Sequence, residues 1–143
     1  MLKEVINPPE LVEPTGYNHG IAVDGGRLVF LAGQDATGPD GELVAPGDLV
    51  GQFERALSNL ATVVEAAGGS FADVVKLDVY VADRDDYLAN LGPLGEVFRD
   101  YVEVYPAMAL FEVDGFFNEG ALVELTGVAV IEQPSNPTTT GDR

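Results

Sequence analysis

The residue best placed to do chemistry is Glu124, a carboxylate within the apolar run Ala121 to Ile131 (ALVELTGVAVI). In an extended strand Leu122, Thr126, Val128 and Val130 share its side, and Val123, Leu125, Ala129 and Ile131 lie opposite. Both faces are mostly apolar, the pattern of a strand covered by two layers. A carboxylate set there needs hydrogen-bond donors, or its pKa climbs until it is neutral. Either state suits proton transfer. The alternative is a strand-end glutamate that reaches solvent or caps a neighbouring backbone amide. His19 and Tyr17, in GYNHG, come next. A lone histidine beside a turn is more often a structural hydrogen-bonding group than a catalyst. Tyr17 can donate into a pocket or simply fill a strand entrance.

Much chemistry is excluded. One histidine and no cysteine argue against a dedicated zinc site and remove any thiol nucleophile. The segment GQDATG lacks the lysine and the spacing of a phosphate-binding loop, and no G-x-S-x-G occurs. Asp83-Arg84-Asp85-Asp86 reads as a solvated helix start, since aspartate favours N-terminal turns. The net charge of −17, from 24 acidic and 7 basic residues, should repel nucleic acid. It would also keep the protein soluble in concentrated salt. No apolar run is long enough to span a membrane, and MLKEVINPPEL lacks the features of a signal peptide, so a cytoplasmic protein is expected.

The elements that must position these residues follow from periodicity and punctuation. Ile21–Val23 and Leu28–Ala32 flank Asp24-Gly25-Gly26-Arg27, which reads as a tight hairpin turn. Residues 33–48 are rich in turn formers and read as a loop. Asp48 is a candidate N-cap for an amphipathic helix carrying Leu49, Phe53, Ala56, Leu57, Leu60, Val63, Val64 and Ala67, closed by Gly68-Gly69. Val74 to Ala82 alternates as a strand, with Val75, Leu77, Val79 and Val81 on one side. A second helix is expected over about Asp85 to Val102, broken or restarted near Pro93. Two strands, Ala107–Val113 and Ala121–Ile131, close a single α+β domain over 1–132. A polar, mobile tail is expected over 133–143. The order β-β-α-β-α-β-β implies one mixed sheet with two helices on one face. The other face would be bare in a monomer, which predicts an oligomer.

In this order GYNHGIAVDGGRLVFLAGQ, QFERALSNLATVVEAAGG, FADVVKLDVYVAD, YPAMALFEV and ALVELTGVAVI resemble the landmarks of the Rid family, the reactive intermediate deaminases also called the YjgF family. The resemblance runs from Gly16 to Ile131. It implies a chorismate-mutase-like fold and a homotrimer with sites in the clefts between subunits. It also implies hydrolysis of enamines and imines, such as 2-aminoacrylate and 2-iminopropanoate, to a keto acid and ammonia, with no metal or organic cofactor. Under this resemblance Tyr17 matches the site tyrosine, Gly33 a backbone contact and Asn90 the site asparagine. Glu124 matches the glutamate that orients the attacking water together with a backbone carbonyl near Leu110. A carboxylate in a dry cleft can hold water and relay its proton.

One position departs from the family pattern. Archetypal members read Pro-Ala-Arg where this chain reads Pro106-Ala107-Met108. The arginine would grip the substrate carboxylate through a fork of charge-assisted hydrogen bonds, and a thioether cannot. Losing such an anchor removes roughly 2–5 kcal/mol of binding, or about thirtyfold to a few thousandfold in affinity. Arg99 and Lys76 are the nearest basic residues by element, but their positions read as surface-facing. Met108 and Leu110, with Phe116 or Phe117 from the following loop, would make the cleft apolar; the two phenylalanines would equally fill a subunit interface. A deaminase of an imine other than the small imino acids is therefore expected. A small-molecule-binding module without catalysis is the alternative. RNA cleavage, an older assignment within the family, is opposed by the charge.

Overall fold

The structure, a computed structural model, describes residues 1–133. The tail expected over 133–143 lies, apart from Gln133, outside the described residues. The elements run β1 (Leu2–Ile6), β2 (Gly20–Asp24), β3 (Arg27–Gln34), α1 (Leu49–Ala66), a 3₁₀ turn (Phe71–Asp73), β4 (Val74–Val81), α2 (Arg84–Ala89), α3 (Leu91–Arg99), β5 (Ala107–Glu112) and β6 (Val123–Ile131). Two features differ from the expected order. An additional strand, β1, precedes the rest, and the second helix is two helices. They meet at Asn90, and Pro93 sits at the third position of α3, where a missing backbone N–H interrupts no helical hydrogen bond.

The Asp24–Arg27 turn forms, with Gly25 and Gly26 at φ of 82° and 89°, values that side chains rarely adopt. The expected hairpin ladder does not. β2 pairs antiparallel with β1 from Leu2↔Asp24 to Ile6↔Gly20, whereas β3 pairs with β6. The N-terminal segment, unassigned in the sequence, takes up the β2 ladder groups in a separate two-stranded ribbon. The main sheet has the order β3-β6-β4-β5 and is mixed, because β4 and β5 run parallel and the other pairs antiparallel.

α1 begins where Asp48 accepts a hydrogen bond from the Gly51 amide at 3.0 Å. Its stripe of Leu49, Phe53, Ala56, Leu57, Leu60 and Val64 is buried, while Val63 stays exposed at the stripe edge. On the sheet, Leu77, Val79 and Val81 of β4 meet Val123 and Leu125 of β6 and Leu31 of β3 beneath the helices. The expected alternation of β4 slips at its start: a bulge between Val74 and Lys76 buries Val74 in place of Val75. The opposite sheet face carries Leu28, Phe30, Tyr80, Phe111, Glu124, Thr126 and Val128, and among the described residues no helix covers it. Phe30 is 76% exposed there.

Candidate functional site

Glu124 stands on the bare face of β6, in register with Tyr80 of β4. Gly33 of β3 lies directly beside it. A methyl group on Gly33 would collide with the Glu124 Oε2 and come within 3.0 Å of its Cδ. Only glycine leaves this carboxylate its place. Gly33 and Gln34 belong to β3, so the loop expected from 33 begins at Asp35.

Asp35 is buried, and its carboxylate accepts from the Thr37 amide at 3.0 Å, from the Thr37 hydroxyl and from Asn118 Nδ2 at 2.6 Å. Asn59 Nδ2 on α1 donates to the Asp35 and Thr37 carbonyls at 3.0 and 2.9 Å. Arg55 Nε donates in turn to Asn59 Oδ1 at 3.1 Å. The end of β3 is thus tied to α1 and to the loop before β6. The Glu124 pKa is pushed above the usual carboxylate range, first by burial and then by the charge of Asp35. A carboxyl poised this way can take a proton from water and return it to a leaving group.

A second feature lies at the β5 edge of the helix-covered face. A cavity of about 550 Å³ is lined by Tyr17, Met108 and Leu110, with Phe53, Leu94 and Phe98 behind them. The segment holding Tyr17 is laid along the start of β5. The Asn18 amide donates to the Pro106 carbonyl at 3.0 Å, and Asn18 Nδ2 to the Tyr105 carbonyl at 2.7 Å. His19 takes the structural role: its Nε2 donates to the Val12 carbonyl at 2.7 Å, and its ring stands edge-on to Tyr17 at 5.2 Å. Asn90 is half-buried at the α2–α3 junction, next to Leu91 of the cavity wall. Its Nδ2 donates to the Asp86 carbonyl at 2.7 Å and to Asp86 Oδ1 at 3.1 Å.

The sequence-expected site residues therefore fall into two groups. Met108 and Leu110 are in register with Leu77 and Val79, on the helix side of the sheet, whereas Glu124 is in register with Tyr80 on the other side. Within one chain Tyr17, Met108 and Leu110 meet, and Gly33 and Glu124 meet, but the two groups do not. Phe116 and Phe117 do not line the cavity, and Phe117 is 100% exposed. Arg99 is exposed, as its position reads, and it also lines the rim of the cavity. Lys76 instead pairs with Asp78 on the bare face. Among the described residues no three His, Cys, Asp or Glu side chains gather to hold a metal.

Sequence reasoning missed two buried polar residues. Asp35 was hidden in a loop, although aspartate with threonine two residues on is a side-chain-to-backbone turn signal. Gln52 occupies the buried stripe three residues after Leu49. Its Nε2 donates to the Ala45 and Gly120 carbonyls at 3.2 Å each, and its Oε1 accepts from the Leu122 amide at 2.8 Å, two residues before Glu124.

A family model described as Endoribonuclease L-PSP matches residues 10–131. A RutC family protein of Pyrococcus abyssi is 34% identical, covering 92% of this chain and 100% of its own. The 2-iminobutanoate/2-iminopropanoate deaminase of Mus musculus is 30% identical, over 91% of this chain and 93% of its own. Among solved structures, YyfB of Yersinia pestis, a protein of unknown function in the Rid family, superposes with a TM-score of 0.81 at 32% identity, covering 92% of this chain and 100% of its own. YjgF of E. coli superposes with a TM-score of 0.64 at 30% identity, over 87% and 93%. With its α+β mixed sheet, its landmarks in order and these matches along nearly its whole described length, this chain belongs to the Rid family.

Proposed function

We propose that this protein is a hydrolytic deaminase of an imine or enamine metabolite other than the small 2-imino acids. It would act as a homotrimer in a cleft that two copies build. The observation that carries this reading is the placement of two complementary groups on opposite faces of one sheet. Gly33 and Glu124 make a water-handling half-site. Tyr17, Met108 and Leu110, with Asn90 nearby, make a substrate-holding half-site. A second copy seated on the bare face would bring its cavity edge to Glu124, and the exposed Leu28 and Phe30 supply apolar surface for that contact.

Glu124 as carboxylate takes a proton from water while the oxygen attacks the C=N carbon, and passes that proton to the imine nitrogen, giving a neutral carbinolamine. Glu124 then takes the carbinolamine hydroxyl proton and delivers it to the amine as the C–N bond breaks, releasing ammonia and leaving a carbonyl. The raised pKa of Glu124 suits both directions of transfer. The chemistry calls for neither metal nor organic cofactor. The RNA cleavage implied by the family model's description is opposed by the net charge of −17.

The test generates imines in situ from a range of amino acids and follows the residual imine by trapping. Wild type should accelerate hydrolysis of at least one, and Glu124→Gln should abolish it with assembly unchanged. Met108→Arg should extend activity to 2-iminopropanoate. Inactive Glu124→Gln and Tyr17→Phe chains, unfolded and refolded together, should regain about a quarter of wild-type activity, because random assembly pairs two intact half-sites that often. No recovery would place the whole site within one chain. Activity in Glu124→Gln would remove Glu124 from the mechanism, whereas saturable ligand binding without turnover, unaffected by that substitution, would favour a binding module.

A further inference from the structure

The cavity beside β5 is apolar nearly throughout, yet one charge stands on it. In a chain of net charge −17, no carboxylate among the described residues lines this cavity, whereas Arg99 does. The placement follows from α3. Gly95 and Arg99 lie one turn apart on the same helix face as Leu91, Leu94 and Phe98. The guanidinium folds back over Gly95, with Nη1 3.1 Å from where a β-carbon would stand. A side chain at 95 would push it off the cavity. Glu96, Asp100 and Glu103 are close in sequence, but among the described residues Arg99 makes no ion pair and no side-chain hydrogen bond within the protein. Arg99 is exposed at the cavity rim, and among the described residues no protein group takes its side-chain donors.

The rest of the wall fixes what such a cation would hold. Leu91, Met108 and Leu110 offer apolar surface, and Tyr17 and Tyr87 add phenols. Burial pushes the Tyr87 phenol up, so it stays neutral and brings no competing charge. A volume of about 550 Å³ is far more than a three-carbon acid fills, and lies in the range of sites for larger organic ligands.

We propose that Arg99 is the anion anchor of this cavity, which takes organic monocarboxylates with a bulky apolar body, aryl or branched alkyl. The carboxylate meets the guanidinium, and the body lies between Met108 and Leu91. This deepens the function proposed above and rests on it in one respect: the ligands of interest are then 2-imino acids and their 2-oxo products. Binding itself requires no turnover.

Calorimetric titration of the full-length protein tests this with 2-oxo-4-phenylbutanoate, the neutral ketone 4-phenylbutan-2-one, and pyruvate. The aryl acid should bind at least about tenfold tighter than either of the others. Arg99→Met should lower affinity for the aryl acid about tenfold and leave the ketone unchanged. Equal affinity for acid and ketone, or an unaltered acid affinity in Arg99→Met, overturns the assignment. Arginine-dependent binding without hydrolysis of any imine overturns the deaminase reading and leaves this one standing. Hydrolysis with arginine-independent binding does the reverse.

Discussion

Gly33→Ala isolates the geometry of Glu124 from its chemistry. The glycine has no positive φ, so its backbone accepts alanine without strain. What the new methyl group meets is the Glu124 carboxyl, with Cδ at 3.0 Å and Oε2 closer still. Carbon atoms rest at about 3.5–4.0 Å, so the carboxyl must retreat by roughly 0.5–1 Å. The neighbour that gives way is the end of a flexible side chain, and the stability change should stay within about 1 kcal/mol. A catalytic group displaced by that distance can lose about 10²-fold in rate. The retreat also carries Glu124 away from Asp35 and toward water, so its pKa should fall toward the ordinary carboxylate value. Three measurements check this: chemical denaturation, imine hydrolysis on the best substrate, and a carbon-detected NMR titration of the Glu124 carboxyl. Wild-type turnover with an unmoved Glu124 titration would refute the placement of these two residues. A collapse of stability would show that the neighbour cannot give way.

Glu124→Gln should be more thermostable than wild type at pH 7 to 8. A carboxyl whose folded pKa is raised opposes folding above that pKa, and the penalty disappears as pH falls to the unfolded value, so the gain should vanish near pH 4 in melting curves. Gln52→Leu removes three hydrogen bonds at a fully buried position and strands the Leu122 amide; denaturant unfolding should show a loss of about 2–4 kcal/mol. Phe30→Glu, on the uncovered face, should leave the monomer folded and shift the sedimentation profile to smaller species.

The parts of the fold that were legible in the sequence are those governed by local period and capping. α1 is marked by its N-cap and its stripe, β4 by apolar alternation and β6 by its continuous apolar run. β2 was legible as a strand but not as the partner of β1. The LKEVI segment has an exposed burial pattern throughout, so no face of it signals a core. The division of α2 from α3 was legible to within a residue or two, because Pro93 cannot continue an interior helix and must sit in a first turn.

The site was legible residue by residue but not as an arrangement. Strand period assigned Glu124 to one face of β6, and the same period assigns Met108 and Leu110 to one face of β5, but neither says whether the two faces coincide. That depends on the register through β4, where Tyr80 answers Glu124 and Val79 answers Leu110. Adjacent residues of one strand point to opposite faces, so a one-residue difference in register sets the two groups on opposite sides. Glu124 is therefore half-buried, on a surface that a single chain leaves open, and its raised pKa already reflects partial desolvation there. Covering that surface with a second copy would desolvate it further and raise the pKa again. The poise of the carboxyl and the assembly of the protein would then be coupled: dilution that separates the copies should lower the pKa of Glu124 as it lowers the activity.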